Sequence, residues 1–155
     1  MGIRTFTVSR SEAIAIRSGT AEFKRVRAVR DRIYYVKNLE GTVYYKNTPV
    51  FEFRIKDCKL EYFKDLSNKK YYPWEFVVQP VSYTCFVEWL NNRVVKEYAM
   101  DIQGYLKQMG LDHYDFEELI KRTNGSNETL HWIRFKDFGA QSWDELITLD
   151  FPVYK

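Results

Sequence analysis

The sequence predicts an α+β protein, with short antiparallel strands in its first half and a cluster of short helices in its second half. Up to residue 66, apolar and polar residues alternate at the period of a β-strand, most clearly over residues 50–55. From residue 73 onward, apolar residues recur at the spacing of an amphipathic helix. A chain of 155 residues, 45% of them hydrophobic, can build one domain around its own core. We therefore predict a single domain over residues 1–155, mainly β over 1–66 and mainly α, with one or two strands, over 73–155.

The predicted strands form an antiparallel meander that can curl into a small open barrel. They cover residues 3–8, 12–17, 23–30, 33–37, 43–45, 50–55 and 59–63. A helix is the alternative for residues 23–30, where the alternation is least regular. Turns are predicted at residues 39–42, 46–49 and 57–58. In the first of these turns, Gly41 can supply a positive φ.

Local signals set the predicted helix boundaries after a connecting segment that ends at Pro73 and Trp74. The N-terminal signals are, in order, Ser82, Asp101, Asp115 with Glu118, and Ser142 with Glu145. Gly110 is placed to end the second helix. A strand over residues 130–135 is expected between the third and fourth helices.

The aromatic content favours a binding function. The chain has 12 Tyr, 11 Phe and 4 Trp, which together make up 17% of its residues. One small core cannot enclose so many large rings, so some of them must remain at the surface. Tyr and Trp at a surface often anchor contacts with a partner, although a Tyr can also border the core with only its hydroxyl in water.

Residues able to carry catalysis are scarce. The two histidines are expected to be a solvated loop residue, His113, and a packing or hydrogen-bonding strand residue, His131. Cys58 and Cys85 have no nearby Cys or His at ligand spacing and are expected to be free, half-buried thiols. We predict no catalytic residue, no metal site and no cofactor, with a cryptic enzyme as the alternative.

The chain is expected to be cytoplasmic. No stretch of about 20 apolar residues could span a membrane. Residues 1–7 contain no apolar segment of the kind found in a secretion signal. We therefore expect no membrane partner.

Positive charge is concentrated near the N-terminus. Residues 4–32 contain eight basic and three acidic residues, whereas the whole chain has a net charge of +3. On a strand, Arg25 and Arg27 would share one face and Lys24 and Arg30 the other. The candidate binding residues are Lys24, Arg25, Arg27, Arg30, Arg32, Tyr34 and Tyr35. They could bind single-stranded nucleic acid, dock on an acidic protein surface, or form a solvated edge strand.

The order of motifs over residues 43–151 resembles the N-terminal subdomain of HipA-type serine/threonine kinase toxins, in the form common in Firmicutes. The matching features are Lys46 to Val50 as a Lys-x-x-Pro-Val pattern, Pro73-Trp74, Trp89 with Arg93, the helix end Gly110-Leu111, Gly125 before His131-Trp132-Ile133, and Trp143-Asp144-Glu145. Residues 1–42 lie outside the resemblance.

This resemblance implies a regulatory subdomain without the kinase. The matched segment has no ATP-binding loop, catalytic loop or metal-binding Asp motif, so no kinase activity carries over. Such a piece would contact a kinase lobe or its DNA-bound antitoxin. The expected function is a non-enzymatic regulator of a toxin–antitoxin-like system of a bacterium or bacteriophage. The alternatives are an inhibitor of a host defence nuclease, of the anti-CRISPR kind, and a nucleic-acid-binding protein.

Overall fold

A computed structural model of the chain describes residues 32–126 and 130–149. Within these ranges, four strands form one antiparallel sheet that does not close into a barrel, and helices dominate the second half. The predicted α+β class is therefore confirmed. The strands predicted over residues 3–8, 12–17 and 23–30 lie outside the described residues.

The sheet has the strand order β3-β2-β1-β4, so the last described strand pairs with the first. The strands are β1 (Leu39–Tyr45), β2 (Thr48–Lys56), β3 (Lys59–Asp65) and β4 (His131–Arg134). The helices are α1 (Tyr83–Asn91), α2 (Ile102–Gln108), α3 (Phe116–Thr123) and α4 (Trp143–Thr148), and a 3-10 turn covers Trp74–Phe76.

The main core lies between the sheet and the helices. Phe51, Phe53 and Ile55 alternate along β2 and point inward, as the period of a strand requires. The ring of Phe53 lies 4.6 Å from the ring of Phe86 on α1, between centroids. Burial of each such side chain contributes about 1.5–3 kcal/mol.

A second, smaller core lies on the other face of the sheet at β4. Ile133 is buried in the main core, so its neighbour Trp132 points to the opposite face. There Trp132 packs with Ala140 and with Leu146 of α4. Helix α4 therefore covers one end of this face, and the rest of the face is open as far as residues 32–126 and 130–149 are concerned.

Two predictions for the segment before β2 are wrong. Residues 33–37 form no strand, because their backbone bonds to helix side chains: the Tyr83 hydroxyl lies 3.2 Å from Val36 N and 2.8 Å from Val36 O. Residues 39–42 form no turn but lie within β1. Position 41 requires a glycine because β4 approaches it closely. A Cβ added to Gly41 would lie 2.8 Å from Ile133 Cγ2 and 2.9 Å from the Arg134 carbonyl oxygen.

The predicted helix starts are confirmed where a side chain accepts from a backbone amide three residues ahead. Ser82, Asp115 and Ser142 all do so, and the Asp115 Oδ1 atom lies 3.1 Å from Glu118 N. Asp101 occupies the N-cap position of α2, but its side chain makes no cap bond. Its backbone is left-handed, with φ 57°, whereas a capping residue is extended.

Both cysteines are free, but neither is half-buried as expected. Cys58 is exposed, because it lies in the tight turn between β2 and β3 with φ 61°. Cys85 is fully buried on α1, and its Sγ atom donates to the Pro80 carbonyl oxygen at 3.0 Å.

Buried polar side chains connect α3 to β4, and we call Arg93, Asn124 and Gly125 the α3–β4 junction. The Ile133 amide donates to the Asn124 carbonyl oxygen at 2.7 Å, and Asn124 Nδ2 donates to the Ile133 carbonyl oxygen at 3.0 Å. Arg93 donates from Nε to the Gly125 carbonyl oxygen at 2.7 Å and from Nη2 to the His131 carbonyl oxygen at 2.5 Å. Burial lowers the pKa of Arg93 to about 10, so the guanidinium stays charged at neutral pH.

Candidate protein-interaction surface

The structure describes three of the seven residues predicted to bind a partner: Arg32, Tyr34 and Tyr35. The other four, Lys24, Arg25, Arg27 and Arg30, lie outside the described residues. Arg32 and Tyr34 meet at one carboxylate. Arg32 Nη1 donates to Glu97 Oε1 at 2.9 Å, and the Tyr34 hydroxyl donates to the same oxygen. Tyr35 is exposed.

Tyr34 has a structural role in this arrangement. Its ring stacks on the buried ring of Phe116 with centroids 5.2 Å apart. Its amide donates to Asn91 Oδ1 at 3.1 Å, and its carbonyl accepts from Asn91 Nδ2 at 2.8 Å. Tyr34 and Arg32 therefore attach the segment before β1 to the helices, and Tyr35 is the described member that remains available at the surface.

A different group of side chains is displayed at the surface after β3. Trp74 is 71% exposed, Val77 61% and Val78 54%, and we call these three residues the exposed apolar segment. The amides of both valines donate to the Trp74 carbonyl oxygen, at 3.0 and 3.3 Å. In a 3-10 turn, residues i and i+3 lie on the same side, so Trp74 and Val77 point in one direction.

The opposite side of this turn is fixed in the core. Phe76 is only 4% exposed, and its ring lies 4.8 Å from Phe86 and 5.0 Å from Phe51, between centroids. Pro73 before the turn is also buried. The exposed apolar segment is therefore held in place by its own buried neighbours, and a partner would meet a surface that is already ordered.

The open face of the sheet offers a second, polar surface. Arg54 lies between two carboxylates, with Nε 3.2 Å from Glu40 Oε2 and Nη1 3.2 Å from Glu61 Oε1. These hydrogen bonds raise the pKa of Arg54 above its ordinary value. Arg134 and Lys136 line the same recess of about 380 Å³. The positive charge of Arg54 is already paired within the chain, so this face is a weaker candidate for binding than the exposed apolar segment.

The two histidines lie in different surroundings. His113 lies in the loop after α2, where its Nδ1 atom is 2.5 Å from Asp112 Oδ1. That hydrogen bond raises the pKa of His113 and lowers the pKa of Asp112, and both side chains are in solvent. His131 is half-buried, and burial lowers its pKa. Residues 32–126 and 130–149 contain no group of three or more His, Cys, Asp or Glu that could hold a metal ion.

Sequence reasoning predicted a connection that ends at Pro73 and Trp74, assigned no element to residues 75–78, and missed the exposed apolar segment. The available signal was composition: Trp74, Phe76, Val77 and Val78 form a dense apolar run between two prolines, with neither helix nor strand period. Such a run does not reveal which of its members are buried. That choice depends on Phe51 and Phe86, which are distant in sequence.

No family model, curated protein or solved structure matches the chain. Within the described ranges, no helix has the length and apolar character needed to cross a membrane.

Proposed function

We propose that this protein is a non-enzymatic regulator that binds another protein in a toxin–antitoxin-like system of a bacterium or bacteriophage. The exposed apolar segment carries this proposal. The partner we favour is a kinase-type toxin, and a host defence enzyme is the alternative. Pro73-Trp74 belongs to the series of motifs that resembles the HipA-type subdomain, so the displayed tryptophan lies in the part of the chain from which the kinase hypothesis comes.

Trp74 holds a large apolar side chain in water. A tryptophan offers a large apolar area, and removing apolar area from water contributes about 25 cal/mol per Å². Tryptophan is also enriched among the few interface residues that carry most of the binding energy. Because Phe76 and Pro73 already hold the turn in place, ordering it on binding would cost little free energy.

The chemistry of the three side chains restricts the partner. A tryptophan and two valines present no charge, so the complementary surface should be an apolar pocket with a polar rim. An apolar pocket that receives one tryptophan and two valines is a feature of a folded protein. The two valines have no aromatic face on which a nucleic-acid base could stack, and they offer nothing to phosphate groups.

The test is affinity purification of the tagged full chain from lysate of its native host, with and without nuclease. Wild type is compared with Trp74→Ala and with the control Tyr62→Ala, which removes an exposed ring from the open face of the sheet. We expect a stoichiometric, nuclease-resistant protein partner that wild type and Tyr62→Ala both retain. Trp74→Ala should weaken binding by about 2 kcal/mol, roughly 30-fold, as measured with the purified partner.

Two results would contradict the proposal. One is a Trp74→Ala variant that binds the partner as tightly as Tyr62→Ala. The other is recovery of nucleic acid with every protein lost on nuclease treatment, which would move the function to nucleic-acid binding. The identity of the partner separates toxin control from inhibition of a defence enzyme.

A further inference from the structure

A pair of stacked tyrosines lies where the loop after β3 meets the end of β1. The rings of Tyr45 and Tyr71 are nearly parallel, with an interplanar angle of 3° and centroids 4.4 Å apart. His131 Nε2 lies 2.5 Å from the Tyr71 carbonyl oxygen, and its ring meets Tyr45 edge-on. Tyr71 is thus fixed through both its ring and its backbone, yet it is 50% exposed.

The loop that carries Tyr71 has a strained backbone. Asn68, Lys69 and Tyr71 have φ of 54°, 65° and 62°, although none of them is glycine. The left-handed conformation costs a residue with a Cβ about 1–2 kcal/mol, and a bulky residue such as Tyr71 adopts it rarely. Strain of this kind persists only where the surroundings enforce it, and it is concentrated at binding sites and active sites.

Asp65 enforces the conformation of this loop. Its Oδ1 atom accepts from the Ser67 amide at 3.0 Å, and its Oδ2 atom accepts from the Lys69 amide at 3.0 Å. Burial alone would raise the pKa of Asp65, but these backbone bonds and a bond from the Tyr72 hydroxyl together lower it. The carboxylate is therefore directed at loop amides.

Three lysines flank the stacked tyrosines in the sequence. Lys69 and Lys70 precede Tyr71 in the loop, and the Lys46 Nζ atom lies 6.0 Å from the centroid of the Tyr45 ring. All three are exposed, and none forms a salt bridge with another residue of the described ranges. Lys69 also interacts electrostatically with the carboxylate of Asp65. The exposed ring of Tyr71 and three exposed lysines are thus carried by neighbouring stretches of backbone.

We propose that Tyr71 is a stacking platform for a base of single-stranded nucleic acid, whose phosphates are bound by Lys46, Lys69 and Lys70. Single-strand binders combine base stacking on aromatic rings with a basic path for the backbone. An acidic protein segment would satisfy the lysines but would leave the ring face unused, whereas a nucleotide supplies base and phosphate at once. The site shares no residue with the exposed apolar segment, so it does not depend on the proposed protein contact.

The test is fluorescence anisotropy of a labelled short oligothymidylate with the full chain at several salt concentrations. Tyr71→Ala should weaken binding about tenfold, because stacking of one base is lost, whereas Tyr71→Phe should stay within about twofold of wild type. The double variant Lys69→Gln with Lys70→Gln should reduce the slope of log affinity against log salt by about 1.4. Lys107→Gln, an exposed lysine of α2, is the control and should leave binding unchanged.

Three outcomes would overturn the proposal. The first is absence of oligonucleotide binding at low salt. The second is wild-type affinity in Tyr71→Ala together with loss of binding in Arg25→Gln with Arg27→Gln, which would assign the nucleic acid to the basic N-terminal segment. The third is binding of an acidic polypeptide, poly-glutamate, that depends on Lys69 and Lys70 while the oligonucleotide is not bound.

Discussion

The α3–β4 junction and the segment over residues 65–78 place their side chains in opposite ways. The junction buries polar groups: Arg93 and Asn124 lie inside the protein, and their donors are bonded to backbone carbonyls. Residues 65–78 expose apolar groups, with Trp74 and Tyr71 in water. Each arrangement is costly unless it is compensated.

The difference lies in where the compensation comes from. The cost of burying Arg93 is offset within the chain, by the carbonyls of Gly125 and His131. Among the described residues, none covers the side chain of Trp74, most of whose surface remains in solvent. The junction is therefore compensated within the chain, whereas the exposure of Trp74 would be compensated by the partner of the proposed function.

The largest expected change in the free energy of unfolding distinguishes the buried side of the 3-10 turn from its exposed side. Phe76→Ala removes a buried ring and should lower the free energy of unfolding by about 3–5 kcal/mol. Trp74→Ala, two residues away, should change it by less than about 0.5 kcal/mol. Urea unfolding followed by circular dichroism measures both. A Trp74→Ala variant as unstable as Phe76→Ala would mean that Trp74 is a core residue, and the comparison would fail.

A smaller effect is expected at the junction. Arg93→Met leaves the carbonyls of Gly125 and His131 without their donor and should lower the free energy of unfolding by about 2–3 kcal/mol. Arg54→Met is the matched control, because Arg54 makes two ion pairs in solvent and its loss should be much less costly. Equal losses in the two variants, measured by the same urea unfolding, would show that burial of the arginine is not what matters.

The smallest expected effect concerns strain in the loop that displays Tyr71. Lys69→Gly should raise the free energy of unfolding by about 0.5 kcal/mol, because glycine adopts φ 65° without the left-handed penalty. Lys70→Gly, whose φ is not positive, should lower it by about 0.5–1 kcal/mol. Thermal unfolding of the two variants, measured side by side, shows whether each change stabilises or destabilises the fold. Destabilisation by both changes would indicate that residue 69 is not strained.

Features that depend on near neighbours in sequence were predictable. Ser82, Asp115 and Ser142 cap helices because each side chain reaches an amide three residues ahead. The alternation of β2 was equally local, since one face of a strand repeats every second residue. The class of the fold followed from these signals.

Features that depend on distant contacts were not predictable. Gly41 resembled a turn residue, but its small size is required by Ile133 and Arg134 on β4. The backbone of Val36 satisfies its hydrogen bonds through Tyr83 on a helix. The candidate site belongs to the same category: composition indicated that some aromatic rings must be exposed, but only the packing around Phe76 shows that Trp74 is one of them.

The junction also affects how this protein behaves when it is crowded with copies of itself. Three of the backbone groups of β4 that would face a further strand, the His131 carbonyl and the Ile133 amide and carbonyl, are already bound by Arg93 and Asn124. Unpaired strand edges are where folded sheets recruit other chains and begin to aggregate. At β4 a foreign strand would first have to displace a buried arginine and a buried asparagine. The same bonds that stabilise the fold therefore oppose growth of the sheet into an intermolecular assembly at this edge.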